Sequence, residues 1–206
     1  MTVRVLITGF GAFPGAPFNP SAALARALAR VRRPALADVE FATHIFATSY
    51  AAIDRDLPKL LAGKPDVVLM FGLAARRREL CIETRARNAA SVLFPDASGR
   101  EPSRGTIVKG GPAALRGRAS FPSLLRAARA RGGSARLSRD AGRYVCNYAF
   151  WRGLELAGGG PLVQFVHIPA ARRGPKRKGQ RKVRALSALV RDAEAVLIAL
   201  VAASRR

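Results

Sequence analysis

Short apolar runs of strand length alternate with stretches of helical period along this chain, and that alternation narrows the fold more than any other feature. Val67-Val68-Leu69-Met70-Phe71 is a continuous apolar run. A strand of that kind is covered on both faces, as in the middle of a parallel sheet. Residues 3–8 and 161–167 read the same way, and residues 39–47 add a further strand. Between them, Ala23, Leu24, Ala27, Leu28 and Val31 recur at helical spacing. They follow Asn19-Pro20, an N-cap and a first-turn proline. Further helices are expected over residues 50–61, 122–131, 145–156 and 183–203, with a short strand over 135–138. Residues 79–86 alternate, with Leu80 and Ile82 on one face and Glu79, Cys81 and Glu83 on the other. Residues 94–117 are rich in Gly and Pro and read as loop. Strands that alternate with helices imply an α/β protein with a mostly parallel, twisted sheet in a three-layer α/β/α arrangement. No repeat or boundary divides the chain, so residues 1–206 are read as a single domain.

The chain has 206 residues, 49% of them hydrophobic, enough for a substantial core. No apolar stretch is long enough to span a bilayer. The opening apolar run, residues 2–8, is too short for a secretory signal. Cys81 and Cys146 make no disulfide framework, and with two histidines they lack the tight spacing of a structural zinc site. The expectation is a reduced, soluble, cytoplasmic protein with no metal, cofactor or membrane partner. The net charge is +23, from 36 Lys+Arg against 13 Asp+Glu. Such a charge attracts polyanions, nucleic acid included, non-specifically and at low salt. No zinc finger or RNP-type aromatic motif sharpens that into a dedicated nucleic-acid site.

Two segments carry chemistry. Tyr144-Val145-Cys146-Asn147-Tyr148 puts a cysteine at the start of a predicted helix. Gln164-Phe165-Val166-His167-Ile168-Pro169 puts a histidine at the end of an apolar strand. A helix N-terminus favours a thiolate, and an imidazole can take the thiol proton and return it to a leaving group. The other reading is a buried, unreactive cysteine and a satisfied core histidine. Gly9-Phe10-Gly11 after the first strand lacks the third glycine of a dinucleotide fingerprint; Pro14 stands there, and the helix starts too late. That turn reads instead as a ligand loop at a strand's C-terminal end, where Phe10 and Phe13 line a small flat apolar pocket. The alternative is that one or both pack into the core.

With these residues on the page, the chain resembles the pyroglutamyl peptidase I (pyrrolidone-carboxylate peptidase) family of cysteine peptidases. Four motifs carry the resemblance, in the family's order and over nearly the whole chain. They are Val5-Leu6-Ile7-Thr8-Gly9-Phe10-Gly11-Ala12-Phe13 with Asn19-Pro20; Phe71-Gly72-Leu73-Ala74-Ala75-Arg76-Arg77 through Glu83 to Asn88; Asp140-Ala141-Gly142-Arg143-Tyr144-Val145-Cys146-Asn147-Tyr148; and Phe165-Val166-His167-Ile168-Pro169. The resemblance implies a thiol exopeptidase that removes N-terminal pyroglutamate from peptides. It implies Cys146 as nucleophile, His167 as base and then acid, and Glu83 as the carboxylate that orients the imidazole. It further implies that Phe10 and Phe13 sandwich the lactam and that Asn19 hydrogen-bonds it, while Asn19 also reads as a plain helix cap. Oligomeric state stays open, a homo-oligomer included.

The chain departs from the family in three places. Leu93 stands where the family has an arginine, just before Phe94-Pro95-Asp96. Arg139-Asp140 replaces family residues ahead of the cysteine, and residues 172–184 are very basic. Arg139, Arg143 and the Arg76-Arg77-Arg78 run are candidates to compensate for Leu93. The departures keep two rivals in view: a same-fold homologue with altered substrate or low activity, and a polyanion-binding protein.

Overall fold

The computed structural model describes residues 2–13, 15–172 and 183–206. In chain order the elements are β1 (Val3–Phe10), α1 (Pro20–Leu28), β2 (Val39–Phe46), α2 (Tyr50–Ala62), β3 (Val67–Leu73), β4 (Leu80–Glu83) and β5 (Arg85–Arg87). They continue with β6 (Ala114–Arg116), α3 (Phe121–Arg129), β7 (Ala135–Ser138), α4 (Val145–Ala157), β8 (Leu162–Ile168), β9 (Ala171–Arg172), β10 (Arg184–Ala185) and α5 (Leu186–Ser204). The main sheet has the order β2-β1-β3-β8-β4-β7. All its pairings are parallel except β4 against β8. The sheet is therefore mostly parallel, as expected.

The continuous apolar run in β3 is a central strand with helices on both faces. Val67, Leu69 and Phe71 belong to the core under α1, α3 and α5, and Val68 and Met70 to the core under α2 and α4. Successive side chains of a strand point to opposite faces, so such a strand must be apolar throughout. This is the three-layer arrangement that the alternation implied.

Several boundaries differ from the sequence reading. β1 continues past Thr8, so Phe10 closes a strand rather than sitting in the turn. The alternating stretch 79–86 is not one strand. At Thr84 both the backbone N–H and the hydroxyl donate to the carbonyl of Ser138, at 2.7 and 3.1 Å. The chain leaves the main sheet there, and β5 pairs with β6 in a separate small sheet. β6 lies inside the stretch read as loop, and its three residues are too few for a periodic pattern. α5 begins at Leu186 because Arg184–Ala185 pairs with Ala171–Arg172. Of the basic stretch 172–184, residues 173–182 lie outside the described residues. Among the described residues no helix is long and apolar enough to cross a membrane.

Candidate active site

The period-two alternation of three strands gathers the site on one face. Val166 and Ile168 of β8 belong to the core under α1, α3 and α5, so His167 points to the α2/α4 side. Phe71 places Gly72 of β3 on that same side, and Leu80 and Ile82 do so for Cys81 and Glu83 of β4. Gly72 and Cys81 are the register partners of His167 on its two sides.

Cys146, near the start of α4, comes down on this face. A Cβ added at Gly72 would lie 2.8 Å from its Sγ and 2.8 Å from Cζ of Phe165. The missing side chain at Gly72 is what makes room for the sulfur. The sulfur therefore lies over Gly72, the register partner of His167 on the neighbouring strand. Asn147, the next residue, is fully buried and anchors the helix start. Its Oδ1 accepts from Arg87 N at 2.9 Å, and its Nδ2 donates to the carbonyls of Arg87 and Ala89 at 2.8 and 3.0 Å. These bonds lock α4 to the edge of β5.

His167 is 5% exposed and Glu83 is 0% exposed. Nδ1 of His167 lies 2.8 Å from Oε1 of Glu83. The carboxylate can only accept, so it holds the proton on Nδ1 and leaves Nε2 as the basic nitrogen. Burial opposes the charge on Glu83, but His167, the Ser138 hydroxyl and Arg77 outweigh it and hold the carboxyl below its usual range. The alternative of a solvated strand carboxylate does not apply to this residue. His44 is elsewhere, 3.2 Å from Asp56, and takes no part in the cluster.

The thiol differs from expectation. Burial pushes Cys146 up to about 12, the charge of Glu83 adds to the rise, and Arg77 opposes it. The pull of the helix start toward thiolate does not prevail in the resting site. Cys81 is also a free thiol and is fully buried.

Arg77 reaches the same carboxylate. Its Nη1 lies 2.5 Å from Oε1 of Glu83, and its Nη2 donates to the carbonyl of Asp140 at 2.6 Å. The sequence offered it within the second motif and as one member of a basic run that could compensate for Leu93, with no tie to Glu83. Arg76 and Arg78, its neighbours, are exposed, as are Arg139 and Arg143. Asn147 and Gly72 were likewise quoted in motifs without a role; the glycine inside an apolar strand was the available hint of a close approach.

The expected pocket residues lie beyond the C-terminal end of β1 and just before it. Phe10 is 1% exposed, and its ring leans on Phe46 and Phe165 at centroid separations of 5.9 and 6.5 Å. Phe165 in turn packs on His167 at 4.9 Å. Phe10 is thus a core residue beneath the site. Phe13 is half-buried, in a backbone bridge with Ala16. Asn19 caps α1 through Ser21 N at 3.1 Å and ties down the glycine turn through Gly11 O at 3.0 Å. Among the described residues one N–H of its amide is left over.

Leu93 is 76% exposed and Phe94 65% exposed. Their loop is fastened to the segment just ahead of Cys146. Ser91 N donates to Arg143 O at 2.6 Å, and Tyr144 Oη donates to Pro95 O at 3.0 Å. Position 93 therefore borders the site but presents no donor to it.

Comparison with known proteins gives the family. A family model described as pyroglutamyl peptidase matches residues 3–206. The pyrrolidone-carboxylate peptidase of Chromobacterium violaceum is 37% identical over 172 residues, covering 80% of this chain and 77% of its own. Pyrrolidone-carboxylate peptidase 1 of Ralstonia nicotianae is 35% identical over 174 residues, covering 80% and 77%. Among solved structures, the pyrrolidone carboxyl peptidase of Thermococcus litoralis superimposes with a TM-score of 0.86 at 25% identity, over 98% of this chain and 94% of that one. Pyroglutamyl peptidase I of Bacillus amyloliquefaciens does so with a TM-score of 0.84 at 24% identity, over 97% of each chain. The match over residues 3–206 and the relatives above 30% identity agree, and the chain belongs to the pyroglutamyl peptidase family.

Proposed function

We propose that this chain is a cysteine-type exopeptidase that removes N-terminal pyroglutamate from peptides, with Cys146, His167 and Glu83 as its triad. One observation carries the reading. A thiol, an imidazole and a buried carboxylate share one sheet face, and the carboxylate holds the imidazole by Nδ1. Sγ of Cys146 attacks the carbonyl carbon that follows the lactam ring, and its proton passes to Nε2 of His167. The C–N bond then breaks, and His167 returns that proton to the departing amine. Water, deprotonated by His167, cleaves the thioester, releasing pyroglutamate and restoring the thiol. Glu83 stabilises the imidazolium in both halves. A lactam carries no ammonium charge, so rings such as Phe13, over a floor that includes Phe10, suit it. The spare N–H of Asn19 suits its carbonyl.

A chromogenic pyroglutamyl amide tests this. Hydrolysis is expected, and brief iodoacetamide treatment is expected to abolish it while labelling Cys146 ahead of fully buried Cys81. Preferential labelling of Cys81 in the native protein removes Cys146 as nucleophile.

The exposed leucine at 93 supports a slow enzyme. An oxyanion donor is worth on the order of 100-fold in turnover, and leucine supplies none. Leu93→Arg is expected to raise the rate measurably. A variant slower than an already fast wild type would show that this position carries no message. Two free thiols fit a reducing cytoplasm. Binding to polyanions is read as diffuse and salt-sensitive, without a dedicated site.

A further inference from the structure

We infer that Arg77 is a positioning residue of this site: it balances the charge of Glu83 and ties that carboxylate to the loop that delivers the nucleophile. The inference rests on the peptidase reading above. Both of the close contacts to Glu83 fall on the same oxygen, His167 at 2.8 Å and Arg77 at 2.5 Å. The other half of the guanidinium fork holds Asp140 O at 2.6 Å, in the connection that runs from β7 to Cys146. One planar group thus fixes the carboxylate and the nucleophile's approach at once, which the rigid fork of arginine does and a point charge does not.

The charges show why the site needs it. Glu83 is buried, so its negative charge requires a partner. Moving the thiol proton to His167 creates a thiolate and an imidazolium. With Arg77 the four groups then sum to zero; without it they carry one uncompensated negative charge in a poorly solvated place. Other charged groups nearby are otherwise engaged. Asp140 faces Arg87 at 3.3 Å, and Glu79 faces Arg136 at 3.3 Å. The Cys81 thiol of β4 leans on Glu79 O at 3.6 Å and also lies beside the Arg77 guanidinium. From β7 only the uncharged Ser138 stands near, and from β8 the uncharged Gln164 amide, which donates to Glu83 O at 2.9 Å.

Removing Arg77 takes a positive charge from beside the cluster, and the thiol loses a cation that opposes its rise. The acid limb of the pH profile therefore moves to higher pH. The test compares Arg77→Gln with Arg77→Lys, which keeps the charge but loses the fork. Two profiles are read: kcat/KM on a pyroglutamyl amide, and the rate at which uncharged iodoacetamide alkylates Cys146, followed by mass spectrometry. Arg77→Gln is expected to shift both limbs upward by about one pH unit. Arg77→Lys is expected to keep the wild-type limb while lowering kcat.

An unmoved limb in Arg77→Gln, or equal shifts in both variants, overturns the inference. A role in folding alone would lower the melting temperature and leave the limbs in place. Should Arg77→Gln not fold, a wild-type limb in Arg77→Lys together with a lowered kcat supports the inference, and a shifted limb overturns it. Alkylation needs no substrate, so absence of pyroglutamyl hydrolysis with a shifted alkylation profile would count against the peptidase reading and not against the role of Arg77.

Discussion

Replacing His167 by alanine is expected to lower hydrolysis of a pyroglutamyl amide on the order of 100-fold or more, the usual cost of losing a general base. The structure adds weight to this figure. The thiol rests protonated, pushed up to about 12 by burial, so little thiolate is present at neutral pH without a base beside it. Glu83→Gln keeps the shape of the side chain and removes its charge. It is expected to slow turnover less than His167→Ala, because the ring can still be held at Nδ1 through the amide oxygen. The variant is expected to fold, since the guanidinium of Arg77 keeps its bond to Asp140 O. Steady-state rates and thermal melts of the two variants make the check. Near-wild-type turnover in both would take His167 and Glu83 out of the mechanism.

Gly72→Ala carries the second large expectation. The backbone there has no left-handed torsion, so alanine suits the strand itself. Its Cβ, however, would fall 2.8 Å from Sγ of Cys146, 2.8 Å from Cζ and 3.1 Å from Cε1 of Phe165. The Phe165 ring is fully buried against Phe10, Phe150 and His167 and yields little, so the sulfur is the atom expected to move, at some cost in stability. The sulfur is expected to rotate off its position over the strand, and a displacement of that size can cost on the order of 100-fold in rate. The informative comparison is rate against melting temperature: a large fall in kcat with a modest fall in stability. An alanine variant that turns over as the wild type does would show that the sulfur reacts from a different place.

The strands and helices were legible because both periods are local. The apolar run of β3, the cap and proline at the start of α1, and the alternation around Glu83 each declare themselves within a few residues. Boundaries were less legible where long-range pairing decided them. β1 reaches Phe10 because β2 runs beside it to Phe46, and the break at Thr84 depends on a carbonyl in β7. The placing of Phe10 in the turn shows the same limit. An aromatic residue next to a glycine reads as loop, yet its ring is packed between Phe46 and Phe165.

The sequence by itself determined the class of fold and the family, and pointed to a thiol, an imidazole and a carboxylate, because motif order and residue chemistry are written along the chain. Only the tertiary structure decided how they work together. Whether Glu83 is solvated or buried depends on strands β7 and β8 closing over it, and it is fully buried. Which arginine serves the site depends on a turn between β3 and β4 that brings Arg77, and neither Arg76 nor Arg78, to the carboxylate. Whether the thiol is ionised at rest depends on a balance of burial against nearby charge. Distances of a few ångströms between residues far apart in the chain set all three, and no local pattern encodes such distances.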